Sequence, residues 1–452
     1  MSAPAGAPLE TAAVDGLTHA GEGVVHGGKT VFVPGALPGE RIRFRRTRRH
    51  RQHDDGELLE VLEASPLRIE PRCPHFGVCG GCVLQHLSPQ AQLAAKEQEL
   101  RDTLSRVARV APARWLAPLE GPPWGYRRRA RLGAKYVHRK GTVVVGFRER
   151  AAPYVAQLHS CAVLASPAGD LIAPLAAMLT GLSIREQLPQ IEVAVAENAT
   201  ALVLRVLRPP SAEDTARLAA FAAAHRLRLY LQPGGLESVH PLSPGEAPLH
   251  YALPRFDVQL QFAPTDFIQV NGPVNEALVS RAVELLEPSP AAEVLDLYCG
   301  LGNFTLPLAR RAARVVGVEG DAALLERARD NAQRNGIANA EFHCADLGAP
   351  HEATPHEATP AWARGRYSHV LLDPPRTGAR AVLATVARLA PQRLLYISCH
   401  PGSLARDVGV LVHEHGLTLV AAGVVDMFPH TAHIESLALL TADSSPGAES
   451  PA

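Results

Sequence analysis

The sequence predicts a multidomain α/β protein in three parts: an N-terminal OB-like β-barrel over residues 12–66, a central α+β domain over residues 67–255, and a C-terminal doubly wound, Rossmann-like sheet over residues 256–442. Three observations predict this architecture. Short β-prone runs between glycine and proline turns fill the first part, and three cysteines lie close together at the start of the second. In the third part, strand and helix patterns alternate at regular spacing, which is typical of a parallel sheet covered by helices.

Composition agrees with a protein of this size and class. A chain of 452 residues can hold two or three domains, and its hydrophobic fraction of 46% is ordinary for a soluble protein. No apolar run approaches the roughly eighteen residues that a membrane span needs, and the N-terminus lacks a basic start followed by an apolar core. We therefore expect a cytoplasmic protein with no membrane contact, and the sequence indicates no obligate protein partner.

Positive charge is concentrated in two stretches, although the formal net charge of the chain is +0. Residues 41–53 contain seven arginines and no acid, and residues 126–150 contain nine Arg or Lys against one Glu. Clustered arginines favour a polyanion such as nucleic acid, because they displace counterions from phosphates. The alternative is a solvated face in a chain that uses Arg far more than Lys.

The first part reads as a five-stranded barrel, with strand-like runs at 23–25, 30–33, 41–44 and 58–62 among its elements. Residues 33–40, VPGALPGE, resemble a TRAM domain, which would imply RNA binding; a purely structural cap is the alternative. The Ala-, Pro-, Ser- and Gly-rich ends, residues 1 to about 12 and 442–452, are predicted to be disordered tails.

Cysteines mark a candidate metal site in the central part. Cys73, Cys79 and Cys82 lie within ten residues and are separated by glycines that let the backbone wrap tightly, and Cys161 follows much later. Such a group indicates thiolate ligation, since the seven cysteines of the chain are too few and too uneven for a secreted disulfide scaffold. Spacing alone leaves zinc and an iron-sulfur cubane equally open.

Two further segments complete the central part. Ser88 and Pro89 predict the start of a helix whose Leu93, Leu100, Leu104 and Val107 share one face, and we expect that face to pack in a core. The tract 124–131, WGYRRRAR, mixes aromatics with arginines, which suits base stacking beside phosphate contacts. Its aromatics could equally be structural strand residues.

Polar residues follow successive strands in the C-terminal part. The strand that ends at Tyr298 is followed by Gly300 and Gly302, which permit a tight turn, and Asn303 is predicted to cap the next helix. Glu319 ends the second strand, where a carboxylate can accept hydrogen bonds from ribose hydroxyls. Asp346 follows the third strand and could meet an adenine amine. The third glycine of a dinucleotide fingerprint is missing, which disfavours NAD.

Two motifs follow at the next strand ends. Asp373 opens the turn DPPR, whose prolines stiffen a loop at this edge. Cys399 ends the strand LLYIS before a Pro-Gly turn, and Ser403 is predicted to cap the helix after it. A thiol at this edge is a candidate nucleophile, although a lone cysteine is more often a small core residue. Between these strands, the duplication PHEATPHEAT at 350–359 is predicted to be a surface insertion without a metal role.

Motifs spread over nearly the whole chain resemble the RNA (uracil-5-)-methyltransferase family, in its iron-sulfur 23S ribosomal RNA type with a TRAM domain. They are, in order, CPHFGVCGGC, YRRRARL, FIQVN, DLYCGLGNF, DPPR, SCHPGSLARD and FPHTAHIE. By position, the resemblance implies Cys399 as nucleophile and Glu435 as base. It implies S-adenosylmethionine bound near Gln269, Tyr298, Asn303, Glu319, Asp346 and Asp373, and a [4Fe-4S] cluster on Cys73, Cys79, Cys82 and Cys161. His400, Gly402 and His430 depart from the usual loop residues but leave this chemistry intact.

The expected reaction is methylation of uridine C5 in RNA through a covalent adduct between Cys399 and uracil C6, and the cysteine motif favours 23S ribosomal RNA as substrate. His430 or His433 could replace Glu435 as base. Three alternatives remain open: a transfer-RNA enzyme of the same chemistry, a cluster-dependent radical enzyme, and a non-catalytic RNA-binding protein. The hypothesis of a radical enzyme is disfavoured, because such enzymes usually carry a C-x3-C-x2-C motif and here five residues separate Cys73 from Cys79.

Overall fold

The computed structural model describes residues 8–245, 247–349 and 360–442. The duplicated segment 350–359 and the predicted tails at 1–7 and 443–452 therefore lie outside the described residues. Within the described ranges, no helix is both long and apolar enough to cross a bilayer.

Among residues 8–63, six strands form one curled sheet in the order β1-β5-β6-β4-β3-β2. The strands are β1 (Leu9–Ala13), β2 (Gly16–Leu17), β3 (Glu22–Val25), β4 (Thr30–Pro34), β5 (Arg41–Arg49) and β6 (His53–Glu63). Alternating residues such as Val31, Val33, Ile42 and Phe44 fill its small core. Five strands were expected, and the prediction of a tail to about residue 12 is wrong where β1 pairs with β5.

The next elements are α1 (Pro89–Thr103), a π-helical turn (Leu104–Ala108) and β7 (Arg114–Trp115). Ser88 caps α1 as predicted, because its side chain accepts a hydrogen bond from the Ala91 N–H. Leu100 and Leu104 are buried, but Val107 is exposed, since the π-helical turn shifts the buried position to Ala108.

In the central part, six strands of the described chain form a mixed sheet in the order β13-β12-β11-β10-β8-β9. Its elements are β8 (Arg129–Val137), β9 (Thr142–Gly146), α2 (Ile172–Thr180), β10 (Gln190–Val195), β11 (Thr200–Arg205), α3 (Ala212–His225), β12 (Leu227–Gln232) and β13 (His240–Pro241). Helices α2 and α3 pack on it and share its core, which includes Leu132, Leu175, Leu202 and Leu218.

The C-terminal part carries the predicted Rossmann-like sheet. Its elements are β14 (Leu249–Leu253), β15 (Val258–Phe262), α4 (Gly272–Leu286), β16 (Glu293–Leu297), α5 (Thr305–Ala309), β17 (Arg314–Glu319), α6 (Ala322–Arg334), β18 (Ala340–Cys344), β19 (His369–Leu372), α7 (Leu383–Arg388), β20 (Arg393–Ser398), α8 (Pro401–His413), β21 (Leu417–Val425) and β22 (Glu435–Ala442). Eight described strands follow the order β18-β17-β16-β19-β20-β22-β21-β7.

The direction of these strands agrees with the prediction. β16 to β20 run parallel, and β22 lies antiparallel between β20 and β21. Successive residues face opposite core layers: Val294 packs on one side of the sheet and Leu295 on the other. Chain order reverses between β16 and β19, which is where an open α/β sheet forms its ligand crevice.

Two segments of the predicted central span, 67–255, belong structurally to this C-terminal sheet. α1 packs against α8 and β21, and β7 extends the sheet at its far edge. β14, at the end of that span, likewise pairs with β15 and shares a core with α4 and β16. Hydrophobic periodicity predicted that these elements bury one face, but it carries no information on which sheet receives that face.

Candidate active site

Five candidate residues lie at one edge of the C-terminal sheet. Leu297 pairs with Val318 and with Leu372, and Leu372 pairs with Tyr396, so the parallel strands end side by side. Glu319 is the last residue of β17, and Tyr298, Asp346, Asp373 and Cys399 lie one or two residues beyond the ends of the other four strands. The structure therefore assembles along one crevice the positions that the sequence spreads over about a hundred residues.

Cys399 and Glu435 are neighbours across two antiparallel strands. Ser398, the last residue of β20, pairs with Ser436 of β22, and the Ser436 hydroxyl donates to the Ser398 carbonyl at 3.3 Å. Cys399 continues β20 by one residue, and Glu435 precedes Ser436 by one, so the two side chains occupy adjacent positions. Glu435 is buried, whereas Cys399 is partly open to a cavity.

Burial raises the pKa of each acid in this group. The pKa of Glu435 lies well above its ordinary value because the carboxyl is buried and Asp373 is close. Burial raises the pKa of Asp373 to about 7. Burial, followed by the negative charges of Glu435 and Asp373, raises the pKa of Cys399 to about 11, while Arg376 opposes this shift. These surroundings favour the protonated thiol over the thiolate in the free protein.

The cap of α8 also differs from the prediction. The helix begins at Pro401, and His400 caps it: the imidazole Nδ1 accepts a hydrogen bond from the Ser403 N–H at 3.1 Å. Ser403 lies inside the first turn, where its hydroxyl donates to the His400 carbonyl. The sequence suggested Ser403 because serine is the commoner cap, but a ring nitrogen can accept the same bond.

The glycine turn after β16 holds Glu319 through main-chain groups. Gly300 and Gly302 have φ of +55° and +98°, a region that favours glycine. One Glu319 oxygen accepts from the Gly300 N–H at 3.0 Å, and the other accepts from the Gly320 and Asp321 N–H groups at 2.7 and 3.0 Å. The carboxylate is thus fixed across the crevice. Tyr298 hydrogen-bonds to the Leu347 carbonyl at 3.3 Å, and Asp346 is exposed nearby.

Asn303 does not cap α5, because the cap position is Phe304. Its amide pairs reciprocally with Asn275 of α4 at 2.9 and 3.0 Å, and its Oδ1 also accepts from the Tyr251 hydroxyl. Arg128 stacks on the Tyr251 ring and donates to the Gln269 carbonyl at 2.8 Å. This chain of contacts connects Asn303 with Gln269. The sequence offered no signal for Tyr251 or Asn275, since their partners are distant along the chain.

The four candidate ligand cysteines line one cavity of about 750 Å³, and Cys399 lines the same cavity. Burial and the neighbouring thiols raise the pKa of Cys82 to about 12, and burial raises the pKa of Cys79 and Cys161 as well. A Cβ at Gly81 would lie 3.1 Å from Phe147 and 3.4 Å from the Cys79 sulfur, so glycine keeps this wrap compact. Four free thiols that line one cavity are a suitable donor set for a metal ion or an iron-sulfur cluster.

In the tract 124–131, some side chains pack or pair within the protein and others line the cavity. Tyr126 is buried and donates to the Pro429 carbonyl, and Trp124 stacks on His430 at 4.0 Å. Arg129 and Arg131 pair with Glu192, whereas Arg127 reaches the cavity. The structural interpretation of these aromatics is therefore the better one. The cavity also receives Arg376 and, from the N-terminal sheet, His19, neither of which the sequence analysis assigned a role.

Comparison with known proteins gives consistent matches. A family model described as tRNA (Uracil-5-)-methyltransferase matches residues 255–443. The 23S rRNA (uracil(1939)-C(5))-methyltransferase RlmD of Xanthomonas oryzae pv. oryzae is 50% identical over 436 residues, which cover 96% of this chain and 97% of the relative. The protein of the same name from Alkalilimnicola ehrlichii is 51% identical over 436 residues, covering 96% of each chain.

One solved structure has a fold that matches this chain over most of the length of both proteins. The tRNA (uracil-54, C5)-methyltransferase of Pyrococcus abyssi, crystallised with S-adenosyl-L-homocysteine, matches with a TM-score of 0.73 at 23% identity. The match covers 95% of this chain and 99% of that chain.

Proposed function

Because the chain belongs to the RNA (uracil-5-)-methyltransferase family, we propose that it transfers a methyl group from S-adenosylmethionine to C5 of a uridine in 23S ribosomal RNA. The relatives that match 96% of the chain are named 23S rRNA (uracil(1939)-C(5))-methyltransferases, and these names support the proposed substrate. The observation that carries the proposal is the adjacency of Cys399 and Glu435 at the crevice edge, where a thiol and a buried carboxyl can act on one base.

In the proposed mechanism, Cys399 adds as a thiolate to C6 of uracil and makes C5 nucleophilic. S-adenosylmethionine would supply an electrophilic methyl group to C5 and would leave as S-adenosylhomocysteine. Glu435 then removes the C5 proton, the C5–C6 double bond re-forms, and the Cys399 thiolate leaves. Gln269, Tyr298, Asn303, Glu319, Asp346 and Asp373 are the proposed donor-binding residues. His430 is a poor alternative base, because burial lowers its pKa to about 4 and Trp124 covers its ring.

Cys73, Cys79, Cys82 and Cys161 would hold a [4Fe-4S] cluster in this proposal, and their shared cavity supports it. Methyl transfer is not a redox reaction, so these cysteines would have a structural role and would shape the cavity wall next to Cys399. The test is metal analysis of anaerobically purified protein: the proposal expects equal iron and acid-labile sulfide, lost in Cys73→Ala or Cys161→Ala. Cys344→Ala, at an exposed thiol outside this group, is the matched control. Bound zinc without sulfide would instead support the tetrahedral alternative.

The N-terminal sheet is proposed as an RNA-binding TRAM domain, in keeping with its arginine-rich β5 and the contribution of His19 to the cavity. The deciding experiment offers labelled S-adenosylmethionine with unmodified 23S ribosomal RNA or transfer RNA, followed by nucleoside analysis. Label in 5-methyluridine of ribosomal RNA is expected. Label only in transfer RNA would keep the mechanism and change the substrate, and label in neither would favour the RNA-binding alternative.

A further inference from the structure

The loop that leads into Glu435 is held from one side by α1. This loop, residues 426–434, connects β21 with β22. The Lys96 ammonium of α1 donates to Asp426 Oδ1 at 2.7 Å and to the Phe428 carbonyl at 2.9 Å. Only 3% of Lys96 is exposed, so its charge is removed from water to make these two contacts.

Gln92 lies one helical turn before Lys96, and its carboxamide hydrogen-bonds to two loops. Its Oε1 accepts from the His430 N–H at 2.8 Å. Its Nε2 donates to the carbonyls of Leu84 and Leu87 at 3.0 and 2.8 Å, in the segment that directly follows Cys82. Gln92 is buried, so each of these bonds is made without water as a competitor.

His430 is the point at which these contacts converge. Its carbonyl accepts from the N–H groups of Val83 and Leu84 at 2.9 and 3.0 Å. Its φ of +65° is unusual for a residue with a side chain and persists only where the surroundings enforce it. Five residues later the chain reaches Glu435, so the direction in which this loop enters β22 sets where that carboxyl lies.

We propose that Gln92 and Lys96 are positioning residues that fix the loop before Glu435, and with it the placement of the base against the uridine. Apolar side chains on α1 could bury the same area, but they could not hold main-chain groups of the loop in one orientation. The inference rests on the proposed function, because it assumes that Glu435 removes the C5 proton.

The test separates the base-dependent step from the steps before it. RNA made with 5-fluorouridine lacks the C5 proton, so the enzyme can add Cys399 and transfer methyl but cannot release the product, which leaves a denaturant-stable adduct. Gln92→Leu and Lys96→Met are expected to lower kcat on unmodified 23S ribosomal RNA by about a hundredfold, the order of a 1 Å displacement of a catalytic group. The KM for the donor and the rate of adduct formation with 5-fluorouridine RNA should match the wild type.

Gln98→Leu is the matched control, because Gln98 lies on the exposed side of α1 and, among the described residues, its side chain hydrogen-bonds to Asp102 of the same helix. It should change neither rate. Equal losses of turnover and of adduct formation in Gln92→Leu and Lys96→Met would overturn the inference, as would unchanged turnover. If both variants lost donor binding, α1 would be a folding element and the inference would be wrong. A wild type that neither methylates nor forms the adduct would instead overturn the proposed function.

Discussion

At the scale of single residues, the crevice puts one thiol and one carboxyl side by side in surroundings that raise the pKa of both. Cys399 can attack only as a thiolate, and Glu435 can accept a proton only as a carboxylate. Burial disfavours both charged forms and raises both pKa values. Formation of the thiolate and of the carboxylate is therefore less favourable here than in water.

Because Cys399 and Glu435 act in different steps of the proposed reaction, their variants should lose activity in different ways. Cys399→Ala should bind S-adenosylmethionine but form neither product nor adduct, because nothing adds to C6. Glu435→Gln keeps the shape of the side chain but cannot take a proton, so it should methylate once and retain the RNA as a denaturant-stable adduct. Gel analysis with labelled donor measures both outcomes. Product from Cys399→Ala would contradict the covalent mechanism, and normal turnover by Glu435→Gln would contradict the role of the base.

The raised pKa of Cys399 predicts a steep pH dependence in the free protein. With a pKa of about 11, the thiolate fraction increases as pH rises, by about tenfold per unit from pH 7 to 10. Iodoacetamide labelling of Cys399, followed by peptide mass spectrometry, should increase accordingly. Cys299 is the internal control, since burial holds its pKa well above the ordinary value and it should stay unlabelled. A plateau for Cys399 below pH 8 would indicate an activated thiolate instead.

At the scale of elements, pairing across β5 and β6 changes the meaning of the arginine run. Arg41, Arg43 and Arg45 meet Glu63, Glu60 and Glu57 on the neighbouring strand, at 3.3, 2.5 and 2.6 Å. Arg46 is shared by Glu10 and Asp54. Within the described ranges, no carboxylate lies within 4.0 Å of Arg48, Arg49 or Arg51. The basic surface is therefore concentrated at the tip of this hairpin.

Replacement of the three tip arginines by alanine should weaken RNA binding and its salt dependence. Each lost phosphate contact lowers the slope of log K against log salt by somewhat less than one, so the triple variant should lose about two to three units. Filter binding at several salt concentrations measures this slope. The triple lysine variant keeps the charge and should keep the slope. An unchanged slope in the alanine variant would exclude the hairpin tip from the RNA contact.

Features that depend on neighbouring residues were predictable from the sequence, and features that depend on distant partners were not. The strand ends at Tyr298, Glu319, Asp373 and Cys399 follow buried runs, which a local pattern reveals. Prediction from the local sequence failed for Asn303, because Tyr251 and Asn275 hydrogen-bond to its side chain. It failed likewise for the β5 arginines, whose acids lie on another strand, and for β1, whose pairing with β5 overrides a tail-like composition.

At the scale of the whole molecule, one cavity receives residues from all three parts. His19 comes from the N-terminal sheet, the four thiols and Arg127 from the central part, and Cys399 with Arg376 from the C-terminal sheet. A target base that reaches Cys399 would therefore enter a space whose walls belong to separate cores. The placement of the N-terminal sheet must be fixed for this cavity to keep its shape.

Glu40 supplies one such attachment. It is fully buried, and it accepts two hydrogen bonds from Arg68, at 2.5 and 2.8 Å, just beyond the sheet. Arg68 also donates to the Gly35 carbonyl. Burial alone would raise the pKa of Glu40, but the hydrogen bonds from Arg68 and from the Leu37 N–H outweigh it and lower the pKa below its ordinary value of 4.5.

This lowered pKa predicts a stability that depends on pH with a defined sign. A carboxyl whose folded pKa is depressed stabilises the protein above its unfolded value and loses that contribution as pH falls through the folded value. Glu40→Gln should therefore lower the free energy of unfolding by about 2 kcal/mol at pH 7 and flatten its decline below pH 4.5. It should also raise the KM for RNA while donor binding stays unchanged, because the loosened sheet carries His19. Glu60→Gln, at an exposed pair with Arg43, should alter neither stability nor KM; an equal effect of both variants would show that Glu40 does not fix the sheet.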